Sequence, residues 1–201
     1  MATVQLVDEP DIFRWKWSPD GKYSAASTYK AFFYGRNLKL GARQLWKVRA
    51  PNKCRFFFWL VLHGRCWTSE RLPRHGLPNH GNCALCSQEV EFLDHLLVGC
   101  VYSREVWFRT LRAHGWQQLI PDQDDSIVEW WLRRRKQMTK LNRKKFDSIV
   151  ILTAWMIWNE RNGRIFRLVT KSPTALAGEI AEEQRWWGRA GLVLVANGLD
   201  G

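Results

Sequence analysis

Hydrophobic side chains recur every three or four residues through most of the chain, and this spacing predicts a mainly α-helical fold. The segment 51–63 is apolar on almost every side, so we expect it to be the most buried helix. Glu89 and Glu91 place acidic side chains where a helix would begin, ahead of an apolar stretch. The other predicted helices cover residues 24–34, a short turn from Thr68, 102–114, 127–138, 146–166 and 172–190.

The N-terminal region has a different pattern, because apolar and basic side chains alternate over residues 12–17. Alternation with a period of two is typical of a β-strand. Pro19 and Gly21 suit the second and last positions of a turn, after which residues 22–24 are predicted to return as a second strand. We therefore expect a small N-terminal β-ribbon that packs on other elements, because two strands alone are unstable.

One cluster of residues carries candidate chemistry: Cys83 and Cys86, separated by two residues, followed by His95 and Cys100. Three thiolates and one imidazole form a ligand set that tetrahedral Zn²⁺ takes in proteins. All four positions would be occupied by the protein, which leaves none for water, so such a site is structural rather than hydrolytic. We predict Zn²⁺ as the cofactor, held in a zinc knuckle embedded between helices.

The other histidines and cysteines are weaker candidates for binding this metal or for catalysis. His80, just before the first cysteine of the cluster, is the alternative imidazole ligand. Cys54 and Cys66 flank the apolar helix, so we expect both to be buried free thiols. His63 and His75 have no partner placed beside them by the sequence, so positions at a helix end or in a loop are the simpler interpretation.

The composition points to an anionic partner and a reducing compartment. The 201 residues include 31 basic and 19 acidic side chains, which give a formal net charge of +12. Nucleic acid and an acidic membrane surface both fit such a charge. Five cysteines suit a complete disulfide set poorly, and the first ten residues lack the pattern of a secretory signal. The longest apolar run, residues 148–158, is too short to span a membrane, so we expect an intracellular protein.

Basic side chains concentrate in two sets, and each set is a candidate contact for nucleic-acid phosphates. The first set also resembles a nuclear-import patch, and the alternative is that it is only a solvated helix face. The second set surrounds the cysteine cluster and includes Lys53 and Arg65, with Trp67 either as a stacking surface or as a core residue. The members of the first set are Arg133, Arg134, Arg135, Lys136, Lys140, Arg143, Lys144 and Lys145.

These features divide the chain into predicted regions. We assign residues 1–44 to the N-terminal ribbon and helix and residues 45–114 to the zinc-binding domain. Residues 115–125 contain a proline and three aspartates, a composition typical of a linker. Residues 126–190 form a C-terminal basic helical region, and residues 191–201 form a tail.

Short motifs recur around the cysteine cluster: Leu45-Trp46-Lys47, Lys53, Phe57-Phe58-Trp59, His63-Gly64-Arg65, Thr68, Arg71-Leu72 and Cys83-x2-Cys86-x8-His95-x4-Cys100. Over about residues 24–110 they resemble the reverse-transcriptase zinc-binding domain, which follows the polymerase in plant LINE-type, non-LTR retrotransposons. The sequence before this region, residues 15–24, resembles the usual lead-in of that domain. Downstream, Ile157-Trp158-Asn159-Glu160-Arg161-Asn162 and Ile165-Phe166 resemble its usual continuation.

The resemblance implies that Cys83, Cys86, His95 and Cys100 are the metal ligands of a C-terminal polyprotein fragment. The sequence contains neither the paired aspartates of a polymerase nor the spaced carboxylates of a ribonuclease H. We therefore expect a zinc-stabilised module that is not an enzyme and that binds RNA or DNA with little sequence preference. The alternative is a protein-interaction or structural module, formerly bracing the polymerase, with no nucleic-acid binding of its own.

Overall fold

The computed structural model describes residues 14–25, 27–28, 40–76 and 81–192. The chain divides into two compact units, Met1–Leu38 and Lys39–Gly201, and each is described by itself. Most of the helix predicted over residues 24–34 lies outside the described residues, as does most of the predicted tail. The predicted linker lies within the second unit, and the region boundaries remain predictions.

The N-terminal unit contains the predicted turn but not the predicted β-ribbon. The Gly21 N–H donates to the Ser18 carbonyl at 3.2 Å, and Gly21 takes the left-handed backbone conformation, with φ of 69°. The Trp15 N–H donates to the Gly21 carbonyl at 2.8 Å, and the Trp15 ring packs edge-on against Tyr23. Residues 14–24 contain no strand, so the ribbon prediction is wrong there, while Ile12 and Phe13 lie outside the described residues. The Trp15–Tyr23 ring contact and the backbone hydrogen bonds that close the loop take the place of the ladder of backbone bonds that paired strands need.

The described part of the second unit is helical, which confirms the mainly α-helical part of the predicted fold class. In the described part of this unit the one β pairing is an isolated antiparallel bridge between Asn82 and Val90. The α-helices are α1 (Ala42–Leu45), α2 (Asn52–Leu62), α3 (Val101–Arg112), α4 (Ile127–Lys136), α5 (Lys140–Arg167) and α6 (Pro173–Arg189). A π-helix covers His95–Gly99, and short 3₁₀ turns cover Pro73–His75 and Gln117–Leu119.

Helix α5 lies at the centre of this unit and contacts α2, α3, α4, α6 and the π-helix. It begins at Lys140 rather than at residue 146, because the Thr139 hydroxyl caps it by accepting a hydrogen bond from the Asn142 N–H. The apolar run 148–158 lies in its middle, where the neighbouring helices bury most of it. Among the described residues, no helix combines the length and the apolar content that crossing a bilayer requires.

Three fully buried tryptophans are the largest side chains of the core, and each indole N–H has an acceptor. Trp107 donates to the Leu97 carbonyl at 2.7 Å, Trp130 to the Leu119 carbonyl at 2.8 Å and Trp131 to the Asp147 carboxylate at 2.7 Å. Two of these acceptors lie on short segments rather than on long helices. The tryptophans therefore fasten the π-helix and the 3₁₀ turn at Gln117–Leu119 to the helical core.

The helix predicted to begin at Glu89 begins later, at residue 93, and becomes the π-helix. The Glu89 carbonyl accepts a hydrogen bond from the Cys83 N–H at 2.7 Å, and the Glu91 side chain is completely buried. Both residues therefore belong to the loop that carries the first two cysteines. Tertiary partners outweigh the preference of acidic side chains for a first helical turn.

Candidate metal centre

The first two cysteines lie on a tight loop, residues 83–91, called the cysteine loop below. The Cys83 N–H donates to the Glu89 carbonyl, and the Ser87 N–H donates to the Cys83 carbonyl at 2.8 Å. Ser87 has a left-handed backbone conformation, with φ of 58°, which is uncommon for a residue with a side chain. The chain therefore turns back sharply just after Cys86, and both cysteine sulfurs are held on one side of the turn.

The other two members lie at the ends of the π-helix, an element that the sequence analysis did not predict: His95 is its first residue, and Cys100 follows its last residue. The Cys100 N–H donates to the His95 carbonyl at 2.6 Å, the five-residue step that defines a π-helix. Cys100 then occupies the N-cap position of α3. The wider turn brings the imidazole and the last sulfur to the same side, facing the cysteine loop.

Gly99 allows another segment to approach this π-helix, because a Cβ at Gly99 would lie 2.8 Å from the Gln123 carbonyl oxygen. We expect Gly99→Ala to lower the free energy of unfolding by about 1–3 kcal/mol, since one backbone must move away from the other. Chemical denaturation measures this change. Gly178→Ala is the matched control, because a Cβ there meets nothing within 4 Å and alanine favours the helix. An unchanged unfolding midpoint for Gly99→Ala would contradict the close approach.

The four ligand atoms of this cysteine–histidine cluster lie within 4.8 Å of one another. The sulfurs of Cys83 and Cys100 are 3.9 Å apart, and the Cys86 sulfur is 3.4 Å from Nε2 of His95. Tetrahedral zinc, with bonds of about 2.3 Å to sulfur and 2.0–2.1 Å to nitrogen, would place such pairs about 3.8 and 3.6 Å apart. The residues present therefore fit one tetrahedral metal ion, and the cluster predicted from spacing is brought together by the fold.

The thiols of Cys83 and Cys100 are coupled. The Cys83 thiol donates a hydrogen bond to the Cys100 sulfur, and this bond together with burial raises the pKa of Cys83. The same bond lowers the pKa of Cys100, and backbone N–H groups in the first turn of α3 lower it further. The position at the helix N-terminus thus favours a thiolate at Cys100, the form that binds a metal ion.

The His95 ring is oriented by its second nitrogen. Nδ1 lies 3.2 Å from a carboxylate oxygen of Glu89, while Nε2 faces the Cys86 sulfur. The His95 side chain is 3% exposed, whereas that of Glu89 is half exposed. A carboxylate on the outer nitrogen holds the proton there and leaves the inner nitrogen free for a metal.

Glu91 joins the cysteine loop to α5 through a buried ion pair. Its carboxylate lies 2.5 Å from a terminal nitrogen of Arg161, and the two side chains are 0% and 3% exposed. Glu91 also accepts hydrogen bonds from the Ser69 N–H at 2.9 Å and from the Ala84 N–H at 3.4 Å. Since a buried carboxylate needs a partner for its charge, this pair connects segments that are 70 residues apart.

A second arginine of α5 holds the backbone between the first two cysteines. Arg164 Nη1 donates to the carbonyls of Ala84 and Leu85 at 3.2 and 2.9 Å. The Arg164 guanidinium is itself oriented by Glu160 at 2.8 Å and by the Tyr102 ring. These bonds position the turn that carries the cysteine sulfurs, as outer partners of metal sites do.

The structure gives several members of the basic run 133–145 a structural role. Arg135 forms a bidentate pair with Asp147, with both distances 2.9 Å, and Arg143 donates to the Arg135 and Met138 carbonyls. Arg133 pairs with Asp125 at 2.6 Å. These arginines join α4, the preceding turn and the start of α5. They are therefore less available to a phosphate than their place in the sequence suggests.

The remaining members of the run differ in exposure. Arg134 and Lys145 are half-buried, and Lys145 lies over the Trp116 ring. Near the cluster, Lys53 and Arg65 are exposed as well. Contact of any of these residues with nucleic acid remains a prediction. Among these remaining members, Lys136, Lys140 and Lys144 are exposed.

The other candidate histidines and the indole near the cluster have local roles. His63 lies at the end of α2, with Nδ1 2.8 Å from the Trp59 carbonyl. His75 packs against the Trp67 ring, which is 47% exposed, so the interpretation of Trp67 as a core residue is wrong. His80, the alternative ligand, lies outside the described residues.

The two cysteines outside the cluster are buried free thiols, as predicted. Burial raises the pKa of the Cys54 and Cys66 thiols to about 12. Both thiols therefore stay protonated at neutral pH. Neither belongs to the group of side chains that could hold a metal ion among the described residues.

Sequence reasoning missed Glu91, Arg161 and Arg164 as residues of the site. Arg161 stands in the motif that resembles the family's usual continuation, but the motif by itself assigns it no role. Glu91 was interpreted as part of a helical first turn. The available signal was the position of Arg161 just after the apolar run 148–158 of α5, because a charge buried beside that run requires an acidic partner from elsewhere in the fold.

Comparison with known proteins agrees with this geometry. Residues 23–107 match the family described as "zinc-binding in reverse transcriptase". The chain is 28% identical over 165 residues to an Arabidopsis thaliana protein named as a candidate ribonuclease H protein. The aligned region covers 80% of this chain but only 26% of the length of that relative. No solved structure matches. The family match covers a little under half of the chain, and all four members of the cysteine–histidine cluster lie within the matched residues.

Proposed function

We propose that this chain is a zinc-stabilised nucleic-acid-binding module derived from a retroelement reverse-transcriptase polyprotein. The observation that carries the proposal is the cysteine–histidine cluster, whose four ligand atoms lie within 4.8 Å of one another. Zn²⁺ is the ion that three thiolates and one imidazole favour at these separations. When bound, it would supply a fixed link between the cysteine loop and the π-helix.

A structural role for the metal follows from the ligand set. Four protein ligands complete a tetrahedron and leave no position for a water or a substrate. We therefore propose that the chain is not an enzyme. The ribonuclease H name belongs to the Arabidopsis relative, of which this chain matches 26%, and it carries no activity over to this chain.

The link between metal and binding surface runs through α5. Arg161 and Arg164 hold the cysteine loop near the C-terminal end of this helix, and its N-terminal end carries Lys140 and Lys144. These two lysines are four residues apart, so they lie on the same side of the helix. The formal net charge of +12 supports an anionic partner, and we propose RNA or DNA contacted mainly through phosphates.

Salt dependence tests the nucleic-acid proposal. We expect single-stranded oligonucleotides to bind, with log K falling linearly as log salt concentration rises. The double variant Lys140→Gln/Lys144→Gln should reduce the size of that slope by about 1.4, since each lost phosphate contact removes about 0.7. Fluorescence anisotropy at a series of salt concentrations measures both quantities.

Lys16→Gln/Lys22→Gln is the matched control, because both lysines are exposed and the net charge changes equally. It should leave the slope unchanged if binding is local to α5. Equal slopes for the two double variants would place the contact elsewhere. Absence of binding at low salt would reject the nucleic-acid role.

The second candidate function is a protein-interaction module, and one observation favours it. Phe166, Leu168 and Val169 lie within four residues at the C-terminal end of α5 and are 73%, 89% and 50% exposed. Exposed apolar side chains that are close together are typical of a surface that another protein covers. This function would be preferred if the salt series detects no nucleic-acid binding.

A further inference from the structure

A cavity of about 260 Å³ lies between α3, α5 and α6, and none of its lining residues is a member of the cysteine–histidine cluster. The small side chains of Ala113, Ala177 and Ala181 leave the space open, and Ile149 and Trp187 form apolar walls. Sites for drug-sized ligands occupy about 300–1,000 Å³. The cavity therefore suits a smaller planar group, about the size of one ring system.

One wall of the cavity carries a hydroxyl group with an unmet hydrogen bond. Thr110 is 5% exposed, and its buried Oγ1 has no partner in the part of the chain that the structure describes. A buried polar group without a partner destabilises the fold. A ligand with a donor or an acceptor on its edge would remove that penalty.

Two further polar side chains line the same cavity. His114 and Gln184 form a hydrogen bond of 2.9 Å between Nε2 and Oε1. Burial lowers the pKa of His114, so the imidazole is neutral at pH 7. The Gln184 NH₂ group remains a donor, and with the Thr110 hydroxyl it forms a polar edge in an otherwise apolar space.

Three basic side chains also line the cavity. Lys145, Arg109 and Arg185 all line it, and Lys145 is also the last residue of the basic run. Arg109 pairs with Glu105 at 2.6 Å and Arg185 with Glu182 at 3.8 Å. Exposed pairs of this kind contribute little to stability, so a phosphate can compete with these carboxylates for the arginines.

We propose that this cavity takes one unstacked base of a single-stranded nucleic acid, with the neighbouring phosphates at Lys145, Arg109 and Arg185. The inference rests on the proposed nucleic-acid function and adds the site and the single-stranded form of the partner. Apolar walls with a few polar groups match a base, which has a π face and a hydrogen-bonding edge. A purely aliphatic group would leave the Thr110 hydroxyl unpaired.

Removing the bases from the ligand tests the proposal. The affinity of the full chain is measured for a short single-stranded oligonucleotide and for the same backbone with abasic sugars. We expect the abasic ligand to bind about tenfold more weakly, because holding a base on an aromatic or apolar surface is worth 1–3 kcal/mol. Duplex of the same sequence should bind no better than the abasic strand.

Two variants locate the effect. Ala181 is exposed and lines the cavity, so Ala181→Leu should occupy part of it and bring the affinity for the normal strand close to that for the abasic strand. Ala175→Leu, exposed on the same helix, is the matched control and should keep the difference. Thr110→Val should keep the melting temperature, since it removes an unpaired hydroxyl, but reduce the preference for the strand that carries bases.

The outcomes separate this site from the general function. Equal affinity for normal and abasic strands, or a normal preference in Ala181→Leu, would overturn the base site and leave phosphate binding intact. Failure to bind either strand at low salt would overturn both proposals. A base preference that Ala181→Leu removes and Ala175→Leu retains supports the site.

Discussion

Cys83→Ser is expected to abolish stoichiometric zinc binding and to unfold much of the second unit. Structural zinc contributes about 10–16 kcal/mol to the folding of small zinc peptides, which equals or exceeds the 5–15 kcal/mol stability of a typical domain. Cys83 is 0% exposed, so the serine hydroxyl, which binds zinc poorly, would also be buried. Metal analysis of the purified protein and far-UV circular dichroism before and after chelation measure the two effects.

Cys66→Ala is the control for this prediction, because Cys66 is buried but lies outside the cluster. It should retain one zinc per chain and lose only the stability expected for a small cavity. Wild-type protein that contains no zinc, or that keeps its helical signal after chelation, would contradict a structural metal. Equal zinc content in Cys83→Ser and wild type would remove Cys83 from the ligand set.

Arg161→Met is expected to lower the free energy of unfolding by about 3–5 kcal/mol, because it leaves the Glu91 carboxylate buried without its partner. Zinc affinity should fall by about 10–100-fold, since the cysteine loop loses an outer support. Urea denaturation measures the stability, and competition with a chromophoric chelator measures the affinity.

The double variant Glu91→Met/Arg161→Met separates charge from packing. Removing both charges should recover a large part of the stability, because no unpaired charge stays in the interior. Arg167→Met, an exposed arginine on the same helix, should change neither quantity by much. If Arg161→Met and Arg167→Met behave alike, the buried pair does not support the loop.

The helices could be predicted from the sequence because their information is local. Residues 51–63, for example, combine a proline at the start with an unbroken apolar run, and α2 forms at Asn52–Leu62. The first step of the metal site is local in the same sense, since a two-residue spacing between cysteines restricts both sulfurs to one turn. Ser172 likewise marks the start of α6, whereas the Thr139 cap of α5 lies before the start that the sequence analysis predicted.

The N-terminal ribbon and the helix at Glu89 could not be predicted in this way. Alternating side chains predict a strand only if another strand is available to pair with it. Acidic residues favour a first helical turn only while they are free, and the Glu91 carboxylate is bound by Arg161 instead. Both errors arose where a contact made in three dimensions replaced a local preference.

The amino-acid order alone specifies the four candidate ligands, the helical class and the positive charge, since each depends on residue type and short spacing. The tertiary structure decides which charges are available and which are used internally. Arg135 and Arg161 look like any other basic residues in the sequence, yet buried carboxylates hold both. Lys140 and Lys144 remain exposed. This division depends on burial, which strengthens an ion pair inside the fold and leaves an exposed lysine free for an external phosphate.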